Sequence, residues 1–317
     1  APRAPNRTAS RPEPEPSSKP PTQTPPAFTL LTQLSGYLRS LALHPQGVLV
    51  ATADNSKQVL LWHREQQAWL KRLNGHQQIV NAVAWHPRGK VLASAGSDGQ
   101  IRLWNGLYGK QLNVLEGHHD RVLSLAWSRD GQVLVSGSRD CTVRLWNLQE
   151  KRQKTLKGYG KEVTALAMHP YQGYFASGGL EPLIRLRHSQ TGKLLRSLRS
   201  NGGTLSLAFH PQGQLLASGG YDAVGYLWDL ENRTDPRRLE GHDDRISAIA
   251  FNATGQLMAT GSWDATIRLW QMPMGTLITT LTGHEDVVSG LAFTPRGDRL
   301  VSSSWDGTLR SWRVEGS

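Results

Sequence analysis

Seven evenly spaced strand ends, apolar–polar alternation between them and turn residues at fixed offsets predict an all-β chain, a seven-bladed β-propeller of four-stranded antiparallel blades. The strand ends are Trp62, Trp104, Trp146, Arg187, Trp228, Trp270 and Trp312, spaced by 42, 42, 41, 41, 42 and 42 residues. Segments such as SLAWS, VLVSGS and TVRLW in the third unit alternate with period two, as strands with one buried face do. HPRGK, SRDGQ, HPQGQ, NATGQ and TPRGD sit between apolar runs. Pro presets φ at the first turn position and Gly supplies the left-handed one. A tighter turn follows in SDGQ, RDCT, YDAV, WDAT and WDGT, so each unit reads as an antiparallel meander.

Each unit supplies the outer strand of the preceding blade and three inner strands of its own. The last unit stops just past Trp312 and needs an outer strand from elsewhere. Residues 28–34, FTLLTQL, align with QLNVL at 111–115 and LITTL at 277–281, and are expected to close the ring. Closure removes open sheet edges. Residues 1–27 are rich in Pro, Ser and Thr and hold no large apolar side chain. They are expected to form a disordered Pro-rich linker or tail, distinct from the propeller at 28–317. No apolar run approaches the roughly 18 residues that span a bilayer. The single Cys141 excludes an intramolecular disulfide framework and suits a reducing cytoplasm. Net charge is +11, of which the tail carries +2, and it favours acidic partners.

A Gly-His pair lies 28 residues before the strand-end Trp in four units: Gly75-His76, Gly117-His118, Gly241-His242 and Gly283-His284. With the repeated TxRLW-type strand, this pattern resembles the WD-repeat propeller family over residues 28–317. The even spacing looks like the regular bacterial members, some of which join a protein kinase, a linker and a propeller. The resemblance implies a buried polar network in each full unit: His76–Ser94–Asp98–Trp104, His118–Ser136–Asp140–Trp146, His242–Thr260–Asp264–Trp270 and His284–Ser302–Asp306–Trp312. In it the Asp accepts from the His, the His from the hydroxyl, and the hydroxyl from the indole N–H. Ser, His and Asp together suggest a hydrolase, but the set recurs at fixed spacing and always includes Trp, so it reads as scaffold. The first unit substitutes Leu34 and Ser56 for His and Asp. The fifth has Ser200 for His. The fourth carries Tyr159, Glu181 and Arg187, and is expected to be the least regular blade.

The resemblance also places three residues per blade on the face that meets partners. Four aromatics (Tyr37, Tyr221, Trp263, Trp305) and four arginines (Arg39, Arg121, Arg139, Arg245) fall among these 21 positions, against one acid, Glu162. Aromatics and Arg dominate interface energetics. Trp263 and Trp305 either anchor a partner or pack across adjacent turns. Arg102, Arg144, Arg185, Arg268 and Arg310 recur two residues before the strand end and read as structural. They weaken the case for a nucleic-acid surface, and no nucleic-acid-reading module accompanies them. No phosphate loop, HExxH or GxSxG motif occurs, so no cofactor, metal or catalytic site is expected. The expected function is a non-catalytic, monomeric, cytoplasmic scaffold that binds an acidic protein or peptide. The alternatives are a regulatory or sensor module of a larger enzyme such as a protein kinase, and a propeller enzyme or nucleic-acid binder.

Overall fold

The computed structural model describes residues 28–232 and 234–314. The expected tail at 1–27 lies outside the described residues. Seven four-stranded antiparallel sheets form a seven-bladed propeller. Blade three is typical: Val122–Trp127 faces the central channel, followed outward by Val133–Ser138, Val143–Asn147 and Arg152–Leu156. The second strand is buried on both faces in this blade, because adjacent blades pack against each side. Small residues there, such as Gly137 and Ser136, let neighbouring sheets approach. A Cβ on Gly137 would lie 2.8 Å from Val163 Cγ1 of the next blade. The core is correspondingly made of clusters that bridge pairs of blades, and Trp104 and Trp312 are fully buried in two of them.

The closing strand is Phe28–Gln33, which pairs antiparallel with Thr308–Arg313 from Phe28 opposite Trp312 to Gln33 opposite Thr308. Leu34 N–H extends the pairing by donating to Gly307 O at 2.9 Å.

One irregularity recurs in every blade. The register between the innermost and second strands slips by one residue near the strand entrance. The extra residues are Arg39, Asn81, Leu123, Thr164, Leu205, Ser247 and Ser289. A bulge re-aims the side chain it carries, and here all seven line the channel wall.

Neighbouring blades are also latched on the opposite face, where the HPxG-type turns lie. His44, His169 and His210 donate from Nε2 to Gly89, Gly213 and Gly255 O of the next blade at 3.2, 3.2 and 3.0 Å. Their Nδ1 atoms accept backbone N–H from Gln46, Gln172 and Gln212, which fixes the neutral tautomer with the proton on Nε2. His86 stands in the same relation to Gly131 and accepts from Arg88 N–H at 3.0 Å. The glycines are required here. Gly255 has φ +77°, and a Cβ on it would sit 2.2 Å from His210 Nε2.

Deleting residues 28–34 exposes the Thr308–Arg313 edge. The truncated chain should melt earlier and self-associate with rising concentration, measurable by calorimetry and sedimentation. Burial pushes His44, His86 and His169 below their ordinary pKa near 6.5, against partial opposition from the carbonyl bonds; Arg88 adds to the lowering at His86 and Asp130 opposes it. The unfolded chain therefore binds more protons than the folded one just below that value. The melting temperature should be level above about pH 6.5 and fall as pH drops through it. The triple His→Gln variant should show a shallower fall over the same range.

Candidate partner-binding face

The inner-strand entrance and the tight turn of each blade are joined by a backbone hydrogen bond: Asn55 to Tyr37, Ser97 to Ile79, Arg139 to Arg121, Leu180 to Glu162, Tyr221 to Gly203, Trp263 to Arg245 and Trp305 to Val287, at 2.8–3.3 Å. Two of the three positions per blade thus stand side by side on one face. The third, the bulged residue, turns to the channel mouth.

The aromatic and Arg residues on this face form a continuous arc over blades five, six, seven and one. The Arg245 guanidinium lies over both Tyr221, at 4.7 Å, and Trp263, at 4.6 Å. Trp263 packs on Trp305 at 5.3 Å between ring centroids, and Trp305 on Tyr37 at 6.0 Å. Arg39 reaches over Trp305 at 5.6 Å. Trp263 and Trp305 are half-buried because they pack on each other, whereas Tyr37 and Tyr221 are 50% and 41% exposed. Arg121 and Arg139 lie apart from this arc, exposed on blade three. Arg139 sits 3.8 Å from Asp120 and Arg245 4.0 Å from Asp244. Such exposed pairs are weak, and both acids adjoin the positions that the sequence marks. Among the described residues neither Arg39 nor Arg121 has an ion-pair partner.

Behind the face lie the polar networks. In blade three His118 Nδ1 donates to Asp140 at 2.8 Å, His118 Nε2 accepts from Ser136 at 2.7 Å, and Trp146 Nε1 donates to Ser136 Oγ at 2.8 Å. Blades two, six and seven bring the corresponding residues together: His76, Ser94, Asp98 and Trp104; His242, Thr260, Asp264 and Trp270; His284, Ser302, Asp306 and Trp312. Each Asp also accepts a backbone N–H from the residue after the His. Burial raises the pKa of these carboxyls, but donation by the His and by backbone or Thr groups outweighs it, so all four lie below the usual carboxylate range. The hydroxyls of Ser94, Ser136, Thr260 and Ser302 are fully buried, so none of the four networks presents its hydroxyl at the surface.

The family model described as "WD domain, G-beta repeat" matches residues 68–105, 109–147, 150–186, 192–229, 234–271 and 275–313. The chain belongs to the WD-repeat family. Pre-mRNA-processing factor 19 homolog 2 of Arabidopsis thaliana is 29% identical over 98 residues, 30% of this chain and 19% of that protein. Pre-mRNA-processing factor 19 of Oryza sativa subsp. japonica gives the same values, and that of Bos taurus is 28% identical over 99 residues, 30% of this chain and 20% of that protein. The chain spans about a fifth of the length of these curated relatives.

Six WD repeats are matched, yet seven blades form. The unmatched stretch is the one where Leu34 and Ser56 replace His and Asp. There Thr52 donates to Ser40 O at 2.9 Å, and Ser56 turns to Asp54. Trp62 Nε1 is buried with no partner among the described residues, although the ring packs edge-on to Trp69 at 5.1 Å.

In blade four, expected to be the least regular, the four strands still pair into a complete sheet, and the substituted residues make bonds of their own. Tyr159 fills the His position and bonds Ser177 at 2.7 Å. Glu181 accepts from Gly160 N–H at 2.6 Å and pairs with Arg185 at 2.5 Å, and Arg185 stacks 4.7 Å over Tyr159. Arg187 turns to Gly192 O at 3.0 Å, though its Nε keeps no partner. In blade five Tyr226 substitutes for the missing His, donating to Asp222 at 2.7 Å and accepting from Asn201 at 3.1 Å. The sequence reading named Tyr159 at the His position but missed its bond to Ser177, and it missed Tyr226 altogether; the signal is a phenol near a position that lacks its His.

The five recurrent arginines pack at the outer part of the blades, with Arg144, Arg185 and Arg310 buried. Among the described residues no helix is long and apolar enough to cross a membrane.

Trp146→Phe leaves the buried Ser136 oxygen without its indole donor while its bond to His118 remains, whereas Trp62→Phe removes an N–H that already lacks a partner. The two truncations delete the same atoms. Urea unfolding should show Trp146→Phe to be the more destabilising by about 1–3 kcal/mol; equal losses would show that the indole bond does not hold the network.

Proposed function

We propose that this chain is a non-catalytic scaffold that binds an acidic protein or peptide on the face formed by the inner-strand entrances and tight turns. The observation that carries this reading is the arc Tyr221–Arg245–Trp263–Trp305–Tyr37 with Arg39 at its inner edge. It offers apolar ring surface beside guanidinium groups, which suits an extended segment with alternating apolar and anionic side chains. Arg121 and Arg139 extend the basic surface onto blade three.

The fold supports a rigid platform and a monomeric ring, because every sheet has its edges defined within one chain. The free Cys141 suits a reducing compartment, and we place the protein in the cytoplasm on that ground. The relatives are named for pre-mRNA processing. Their likeness covers 98 or 99 residues and supports the module alone.

Replacing Arg121, Arg139 and Arg245 together by Glu reverses the charge of the face while leaving the networks intact. The variant should retain its melting temperature and lose capture of partners from a lysate of the native cell. Retained capture would overturn the reading. The wild-type interaction should weaken steeply with added salt.

A further inference from the structure

The channel mouth is a ring of seven bulged residues, and their side chains are not equivalent. Four carry polar groups that already hold the next blade. Asn81 donates to Val122 O, Thr164 to Thr204 O, Ser247 to Val288 O and Ser289 to Leu38 O, at 2.5–3.0 Å. Two more, Leu123 and Leu205, have nothing to donate. That leaves Arg39. Among the described residues its side chain makes no hydrogen bond or ion pair, and its Nε is buried without a partner. A cavity of about 200 Å³ opens beside it, walled by Trp263, Val287 and Trp305, and no carboxylate lines it. Burial, and after it the charge of Arg121, push the Arg39 guanidinium down from its ordinary range.

A buried, unpaired N–H is unfavourable by the full desolvation of the donor. Apolar residues at the equivalent position of blades three and five show that the ring closes without a polar group there. Arg39 is therefore not needed for the latch, and its half-buried guanidinium, stacked on Trp305, meets no anion among the described residues. Its guanidinium presents a planar fork that matches a carboxylate. We propose that the channel mouth seats one acidic side chain of the partner, a glutamate or aspartate, on the Arg39 guanidinium, with the neighbouring apolar residue of the partner on Trp305 and Trp263. This rests on the acidic-partner reading above and adds the anchor that sets its register.

The probe is a fluorescein-labelled eight-residue peptide that alternates Glu and Leu, with its Gln–Leu counterpart as control, read by anisotropy at low salt. Arg39→Gln should weaken Glu–Leu binding by about tenfold or more, with the melting temperature unchanged or raised because an unpaired donor is removed. Arg39→Lys keeps the charge without the fork and should fall between wild type and Gln. Binding by Arg39→Gln equal to wild type, with loss in the triple Glu variant of Arg121, Arg139 and Arg245, overturns the anchor and leaves the acidic face standing. Equal binding of the Glu–Leu and Gln–Leu peptides by wild type overturns both. Stronger binding of a phosphoserine–leucine peptide that is insensitive to Arg39→Gln overturns the anchor too.

Discussion

Everything in this molecule depends on giving every blade its full four strands and a packed neighbour on each side. Each four-stranded blade has an inner edge facing the channel and an outer edge facing solvent, and no blade is stable alone. Seven inner strands pack in turn around a common axis, which gives each blade two neighbours. The last blade obtains its fourth strand by stagger. The strand Phe28–Gln33 starts the propeller one strand out of phase and finishes the sheet of Val288–Phe293, Arg299–Ser304 and Thr308–Arg313. A bond between sequence-distant strands thus holds together contacts that are otherwise between neighbours in sequence.

Stagger alone would leave blades free to splay, and two further sets of bonds oppose this at opposite ends of the channel. At the mouth, side chains of Asn81, Thr164, Ser247 and Ser289 cap carbonyls of the next blade. At the far end, neutral imidazoles cap turn glycines of the next blade. The first set exists because each inner strand carries a bulge. The same bulge that directs a side chain toward the neighbouring blade also directs it toward the channel, so one backbone feature serves both scaffold and surface. Where the residue is Ser, Thr or Asn, scaffold takes it. Where it is Arg, the side chain outreaches the carbonyl and is left facing the cavity.

How much of this the sequence discloses follows from what repeats. Period, turns, closing strand and the four complete His-containing sets are legible because each occurs several times at fixed offsets. The bulge is not, since a one-residue slip leaves the apolar–polar pattern almost unchanged. The repairs in blades four and five are also hidden. Tyr159 occupies the His position openly, but its bond to Ser177 requires a hydroxyl at the reach of an imidazole, which only coordinates reveal. Tyr226 stands where other blades have an outward Arg, and nothing in its position announces a bond to Asp222. On the face, positions were readable and environments were not. Trp263 and Trp305 lie on adjacent blades, so their stacking needs the geometry of the ring. Asp120 and Asp244 each precede a marked position by one residue and screen Arg139 and Arg245.

A ring of near-identical units has no preferred site, because any contact offered by one blade is offered by seven. Specificity must come from departures, and the departures here are of two kinds. Those inside the blades, at Tyr159, Arg187 and Tyr226, are mostly compensated by new bonds, so they alter chemistry while keeping shape. Those on the surface are not compensated. The aromatic arc runs over four consecutive blades and stops, and the uncommitted cation of the mouth sits at its inner edge. Compensation inside and its absence outside is the distribution expected when selection for the ring acts on every blade and selection for a partner acts on one sector. The sector from blade five to blade one is therefore where this otherwise repetitive surface becomes distinct.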